Sequence, residues 1–329
     1  MTDPLKAFLA AIAPFLGRRV FAWLAAVATT VGVSLPWDEA KITALLLAAL
    51  SLIVDGAVYW WRHRSDPKAM PKPTRNRALL VAIDKYPSAA LNNCVYDAKD
   101  WSEYIKIAKG FLASEIVMLL DAQATTANIM AGLKWLAEDY QTGDRRFFAY
   151  SGHGTQMPGS REKDGKFEAI CPVDFDWTEQ HAIRDTDFAA AFGKIPEGAI
   201  FDWVSDSCFS GGLADHDKAL LAAPGERIRA YPMPALIAAR LGSIVGTPVS
   251  VHADLNVGFI SGCRTNQTSA DVDALKNGAF THYLLAQLAK TPKASLEELA
   301  SDVRADLALA GFTQRPQADG ARCQRPFLE

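Results

Sequence analysis

From residue 78 onward the chain alternates short, nearly uninterrupted apolar runs with longer stretches of helical spacing. "ALLVAID" (78–84), "EIVMLLD" (115–121), "RFFAYS" (146–151), "AIFDWVS" (199–205) and "NVGFISG" (256–262) each have the length and apolar content of a buried strand. Between and after them, "NCVYDAKDWSEYIKIAKG" (93–110), "TTANIMAGLKWLAEDYQ" (125–141), "GAFTHYLLAQLAK" (278–290) and "SLEELASDVRADLALAG" (295–311) carry apolar residues three and four apart, which predicts helices. Thr126 is the expected N-cap of the second. Strands that are apolar on both faces and separated by helices predict a mostly parallel sheet covered on both sides, an α/β fold. No internal repeat or low-complexity tract interrupts the pattern.

The first 64 residues follow a different rule. "VFAWLAAVATTVGVSLPW" (20–37) has no charged residue, and "ITALLLAALSLIVDGAVYWW" (42–61) has only Asp55. Each approaches the length that crosses about 30 Å of hydrocarbon as a helix. The "DEAK" between them allows only a tight turn. Arg18 and Arg19 precede the first span, and Arg62, His63, Arg64 and Lys68 follow the second. Positive charge on both outer flanks predicts a two-helix transmembrane hairpin with both ends in the cytoplasm, at a bacterial inner membrane. A buried helical hairpin of a soluble domain is the competing reading. Residues 65–77, rich in proline and basic side chains, read as a linker.

Composition narrows the chemistry. A formal net charge of −3 offers no basic excess and predicts no nucleic-acid partner. Five scattered cysteines without zinc spacing predict free thiols in a reducing compartment.

Two motifs occupy equivalent places. "YSGHGTQ" (150–156) puts His153 just past one strand, and "DSCFSGG" (206–212) puts Cys208 just past another. Ligands of such sheets bind beyond the carboxyl ends of the strands. Neighbouring strands would deliver an imidazole and a thiol to one cleft, and a thiol needs a nearby base to become a nucleophile. Gly152 and Gly154 are expected to keep the histidine turn open.

These motifs resemble the two catalytic motifs of the metacaspases, caspase-like cysteine peptidases. The resemblance extends through "ALLVAIDKYP…LNNCVYDAKDW", "FISGCRTNQTSAD" and "QRPQ", covering essentially residues 78–329. It implies a caspase-like peptidase domain with a large-subunit-like part (78–215), a connecting segment (216–254) and a small-subunit-like part (255–329). It further implies His153 as general base, Cys208 as nucleophile, an oxyanion hole of the Gly154 and Cys208 N–H groups, and a thioester intermediate. An acidic substrate pocket would fall on Asp97, Ser151 and Asp206. That pocket implies a protein or peptide substrate cut after arginine or lysine. No cofactor is needed for the chemistry. Calcium would act as an activator through Glu168, Asp185, Asp187 and Asp215, although Ala169 and Arg184 depart from the family pattern there. The alternative is a membrane-tethered caspase-fold interaction or effector module, for cell suicide or phage defence, with little peptidase activity.

Residues 216–254 carry Lys218, Arg227, Arg229 and Arg240 among prolines and glycines with weak periodicity. They read as an exposed, partly mobile connection that an active enzyme would clip at Arg227, Arg229 or Arg240.

Overall fold

The computed structural model describes residues 76–159, 165–193, 195–196, 198–208, 225–242, 255–264 and 267–329. The expected membrane hairpin, most of the linker, Lys218 and Asp215 lie outside them. Among the described residues no helix is long and apolar enough to cross a membrane. All of them belong to one compact unit, Thr74–Glu329.

Strands and helices are numbered in chain order. The central sheet has six strands in the order β2–β1–β3–β7–β9–β12. They are β1 (Arg77–Ala82), β2 (Ile116–Leu120), β3 (Arg145–Ser151), β7 (Ile200–Asp206), β9 (Gly258–Ser261) and β12 (Gln317–Asp319). All neighbours are parallel except β12, which runs antiparallel to β9. The five apolar runs of the sequence thus form the five parallel strands. The polar "QAD" of β12 closes the edge without any apolar signal.

Successive residues of β3 show how both faces are covered, because side chains alternate across a strand. Phe147 packs on Trp101 of α1 (Cys94–Lys109) at 5.1 Å and on Phe327 at 5.2 Å between ring centroids. Phe148 points the other way, toward Phe188 of α3 (Asp185–Phe192) at 5.5 Å and Trp203 at 5.7 Å. Each ring is fully buried, which stabilises the fold by about 1.5–3 kcal/mol per side chain. On β1, Leu79 rests against Gly132 of α2 (Thr126–Ala137), where an added Cβ would lie 2.9 Å from its methyl groups.

The helix ends follow local rules. Gly110 ends α1 in the left-handed region at φ 70°. Ser295 caps α6 (Leu296–Leu309) by accepting from the Glu298 N–H, and Glu298 returns the contact to the Ser295 N–H. For α2 the cap is Thr125 rather than the expected Thr126. The Thr125 hydroxyl accepts from Asn128 N, whereas Thr126 is drawn outward, its N–H and hydroxyl both donating to Asp174.

Two small sheets sit near the carboxyl ends of the central strands. One contains β4 (Gly154–Pro158), β5 (Lys166–Ile170) and β6 (Ile183–Arg184); the other contains β8 (Glu226–Ile228), β10 (Ala270–Val272) and β11 (Asn277–Gly278). The first begins one residue past His153. The second brings a piece of the connecting segment against "TSAD". For residues 226–231 that corrects the expectation of an exposed, mobile connection. Residues 226–231 form a strand and its continuation, with Arg229 fully buried. Helix α4 (Ala235–Gly242) follows β8 in the chain, and α5 (Ala279–Lys290) follows β11.

Candidate active site

Strands β3 and β7 are direct neighbours with Ser151 opposite Asp206. His153 and Cys208 each lie two residues beyond that last rung. The sheet therefore delivers the imidazole and the thiol to one place, as the motif positions predicted. Both are covered: Cys208 is 0% and His153 1% exposed.

The turn at His153 is built by close approach. A Cβ on Gly152 would fall 2.6 Å from the Tyr86 hydroxyl and 2.7 Å from that of Tyr150. The His153 N–H donates to Tyr86 Oη at 3.0 Å, and its carbonyl accepts from Tyr150 Oη at 2.6 Å. Glycine at 152 makes room for two hydroxyls, a more specific demand than an open turn.

The imidazole is oriented by main chain. Its Nε2 lies 2.7 Å from the Ala89 carbonyl oxygen, so Nε2 carries the proton and donates. Nδ1 is buried without a hydrogen-bond partner among the described residues. Ala89 itself has φ 65°, the left-handed region that a residue with a Cβ rarely enters, and this aims its carbonyl. Burial pushes His153 down to about 4, against the Ala89 and Arg229 carbonyls, which favour its protonated form. The ring is therefore neutral near pH 7, with its free lone pair on Nδ1.

Arg229, from the connecting segment, fills the space between these groups. Its carbonyl oxygen accepts from Gly154 N at 3.0 Å and from Cys208 N at 3.2 Å. These are the two N–H groups expected to form an oxyanion hole. Its own N–H donates to the Ser269 carbonyl at 3.1 Å, and one residue further Tyr231 N donates to Gly154 O at 3.2 Å. Upstream, β8 pairs antiparallel with β10, Ile228 opposite Ala270 and Arg227 opposite Asp271. An extended segment is thus added to a sheet edge across the thiol and the imidazole.

The Arg229 guanidinium enters a closed acidic pocket. Its Nη2 lies 2.7 Å from Asp97 Oδ2 and 3.2 Å from Asp271 Oδ1. Its Nη1 lies 3.0 Å from Asp206 Oδ2 and donates to Ser151 Oγ at 2.7 Å and to the Asp206 carbonyl at 3.1 Å. All three carboxylates are buried and hydrogen-bonded. Asp206 accepts from Ser269 Oγ at 2.6 Å, Thr281 Oγ1 at 2.7 Å and Thr281 N at 3.1 Å. Asp97 accepts from the Ser151 hydroxyl, and from Asn277 Nδ2 and Gly278 N, both at 3.0 Å. Three carboxylates around one cation leave excess negative charge. Burial pushes the Asp97 carboxyl up to about 7, opposed by Arg229 and reinforced by Asp206.

Asp97, Ser151, His153, Gly154, Asp206 and Cys208 therefore come together as expected. Sequence reasoning missed Asp271, Ser269, Thr281 and Gly278, and it assigned Arg229 to a solvent-exposed loop. Asp271 stands in the very "TSAD" that carried the resemblance, but an aspartate there has no periodicity or spacing to mark it. Gly278 had a steric signal only in three dimensions, because a Cβ there would come within 2.6 Å of the Arg229 guanidinium carbon.

The other carboxylate set is not assembled in the same way. Among the described residues no group of three or more His, Cys, Asp or Glu side chains is placed to hold a metal ion. Asp187 accepts from the Arg184 N–H at 2.9 Å, Asp185 from Thr186 N at 2.8 Å, and Glu168 from Gln156 at 3.5 Å. Asp215, the fourth residue of that set, lies outside the described residues. The five cysteines are free, as composition predicted.

Comparison with known proteins places the chain. Residues 76–217 match the model of the metacaspase, peptidase C14 domain. Metacaspase-2 of Trypanosoma brucei brucei is 33% identical over 276 residues, covering 77% of this chain and 76% of its own. The chain belongs to the metacaspase family. Metacaspase-1 of Candida glabrata is 30% identical over 283 residues, covering 74% of this chain and 72% of its own. Among solved structures, protein GSU0716 of Geobacter sulfurreducens superposes with a TM-score of 0.57 at 26% identity, covering 77% of this chain and 97% of that one. This metacaspase is accordingly a caspase-like hydrolase, a cysteine endopeptidase acting on protein substrates, with a largely parallel central sheet.

Proposed function

We propose that this metacaspase cuts after arginine by a Cys208–His153 dyad, and that residues 226–231 lie in its cleft as an intramolecular substrate. One observation carries the reading: Arg229 places its guanidinium among Asp97, Asp206 and Asp271 while its carbonyl sits between the Gly154 and Cys208 N–H groups. The planar fork uses both terminal nitrogens on separate carboxylates, which favours arginine over lysine.

The proposed chemistry uses these groups in turn, with the Cys208 thiol turning from its contact with the Ser269 carbonyl toward the imidazole. With Nε2–H held by Ala89, the Nδ1 lone pair takes the Cys208 Sγ proton. Sulfur then bonds to the carbonyl carbon, and the oxygen takes its charge between the two N–H groups. Nδ1 returns the proton to the departing nitrogen as the C–N bond breaks, leaving a thioester. Water, giving a proton to Nδ1, adds to the thioester and releases a carboxylate and the thiol. No step of this chemistry runs through a metal; calcium, if it acts, does so as an activator, which rates measured with calcium and with chelator would test.

The same steps applied to the enzyme's own chain break the Arg229–Ala230 bond. Intact-mass measurement after incubation should give a new N-terminus at Ala230, and none in the Cys208→Ala variant. A single uncut chain with full activity would remove self-cleavage. On fluorogenic peptides, Cys208→Ala and His153→Ala should each lower turnover by about ten-thousand-fold or more while leaving the circular dichroism unchanged. Preference for aspartate over arginine before the cut would refute the pocket. A fold-only effector module would cleave neither.

The charge pattern of residues 18–68 supports anchoring at the inner membrane with the peptidase domain in the cytoplasm. Retention in the pellet after an alkaline carbonate wash is expected, and release would refute it.

A further inference from the structure

The docked segment continues past the bond that the proposed reaction would cut, and what it meets there is aromatic. Tyr231, two residues beyond that bond, is 6% exposed. Its ring lies 5.3 Å from that of Phe175, 5.4 Å from the His153 imidazole and 5.6 Å from Tyr86, each edge-on, and 6.2 Å from Trp177. Its hydroxyl accepts from Ser88 Oγ at 2.9 Å. Four rings thus enclose one side chain, with a polar partner at its tip.

The walls of this enclosure belong to the scaffold, independent of the segment. Phe175 and Trp177 lie in the loop after β5. Val173 N donates to Ala124 O at 2.9 Å, and Phe175 N to Pro172 O at 3.1 Å. Asp176 accepts from the Thr178 N–H and hydroxyl, while Asp174 holds the start of α2. Trp177 is held at φ 68°, a conformation costly for a residue with a Cβ and kept by these contacts. Tyr86 is fixed by its bonds to His153 N and the Cys171 carbonyl. The main chain of the segment is tied to the same frame, since Ala230 bridges Gly154 in parallel and Tyr231 N donates to Gly154 O. Any peptide whose carbonyl occupies the same two N–H groups runs along this track. Its second residue past the bond then enters the four rings.

We propose that Tyr86, Phe175 and Trp177 form a specificity subsite selecting a tyrosine or other aromatic residue two positions after the cleaved bond. The inference rests on the reading of residues 226–231 as a bound substrate and deepens it. Edge-to-face ring contacts add to ordinary burial, and several act together. The preference for tyrosine over alanine is expected to be about tenfold in kcat/KM.

The test uses internally quenched peptides spanning Glu-Arg-Ile-Arg-Ala-Tyr and Glu-Arg-Ile-Arg-Ala-Ala, assayed on the full chain. The enzyme's own segment competes equally with both, so the ratio of kcat/KM values is unaffected by it. A ratio near ten, falling toward one in Trp177→Ala and in Phe175→Ala, supports the subsite. A ratio near one in the unsubstituted enzyme, with both peptides cut after arginine, overturns the subsite and leaves the peptidase reading standing. Failure to cut either peptide overturns the peptidase reading and takes the subsite with it.

Discussion

Arg227 and Arg229 are two residues apart on one extended segment, so their side chains leave it on the same side, yet they meet different surroundings. Arg229 is fully buried among three carboxylates. Arg227 keeps 34% of its side chain exposed and pairs at 2.8 Å with Asp273, itself 42% exposed. Asp271 stands between them, 3.2 Å from Arg229 and 3.9 Å from Arg227. The difference is one of solvent. In the pocket each carboxylate has lost water and is held by hydroxyls and main-chain N–H groups, so a cation there replaces hydration that nothing else supplies. At the rim, water screens the pair and offers a substitute for it. A strong requirement for arginine at one position and a mild preference for a basic residue two before it should result.

The largest break in that comparison comes from filling the pocket. Gly278→Ala would drive a methyl group into Asp206 and the arginine site. It should lower kcat/KM on arginine peptides by about a hundredfold or more, the loss expected when several charge-assisted contacts fail together. Unchanged kinetics in a folded variant would mean the pocket is not where substrate arginine binds.

Removing one carboxylate is the next step down. Asp206→Ala leaves the buried guanidinium short of a partner and strips acceptors from Ser269 and Thr281. The uncut chain should lose about 3 kcal/mol in urea unfolding. The matching loss for Asp273→Ala should stay below about 1 kcal/mol. Equal losses at the two sites would undo the distinction between pocket and rim.

Protonation sharpens it further. Asp97 titrates at about 7 with the guanidinium in place, and without that cation its carboxyl rises further. Arginine binds the ionised form, so KM for an arginine peptide should fall as pH rises through 7 and above, and Asp97→Asn should flatten the profile. Global stability is the wrong readout. The raised Asp97 makes the fold less stable as pH climbs from its unfolded value near 4 to about 7. The lowered His153 makes it more stable between about 4 and its unfolded 6.5, so the two oppose over most of the range. A KM independent of pH between 6 and 9 would exclude Asp97 from binding the cation.

The smallest effect belongs to the rim. Replacing the arginine two before the scissile arginine by alanine in a peptide should lower kcat/KM by about two- to fivefold. Asp273→Asn should abolish that difference, and 0.5 M salt should reduce it. A preference surviving in Asp273→Asn would place the recognition elsewhere.

Legibility in the sequence followed length and polarity. The five parallel strands and four long helices were readable because each buries enough apolar surface to leave a periodic record. Strands β4, β5, β6, β8, β10 and β11 were not. They are two to five residues long, and their pairing depends on partners distant in the chain. In β8 the sequence "ERI" shows no apolar alternation, and residues around it look like an open loop until Asp97, Asp206 and Asp271 close on Arg229. The same arginine reads as a solvated charge in one dimension and as a buried ion in three.

His153 and Cys208 were determined by the sequence itself, since each directly follows a strand that has no choice but to be buried. Asp97, Ser151 and Asp206 were legible only through the resemblance to the metacaspases, and two of them sit at the last rung of those strands. What only the tertiary structure decided is who meets them. The Ala89 carbonyl fixes the imidazole by a main-chain atom, which no side chain announces. Asp271 and Gly278 complete the pocket from the far half of the chain. Arg229 lies in the cleft because three carboxylates, brought together from a helix and two separate sheets, need a cation, and that need exists only once the fold has formed.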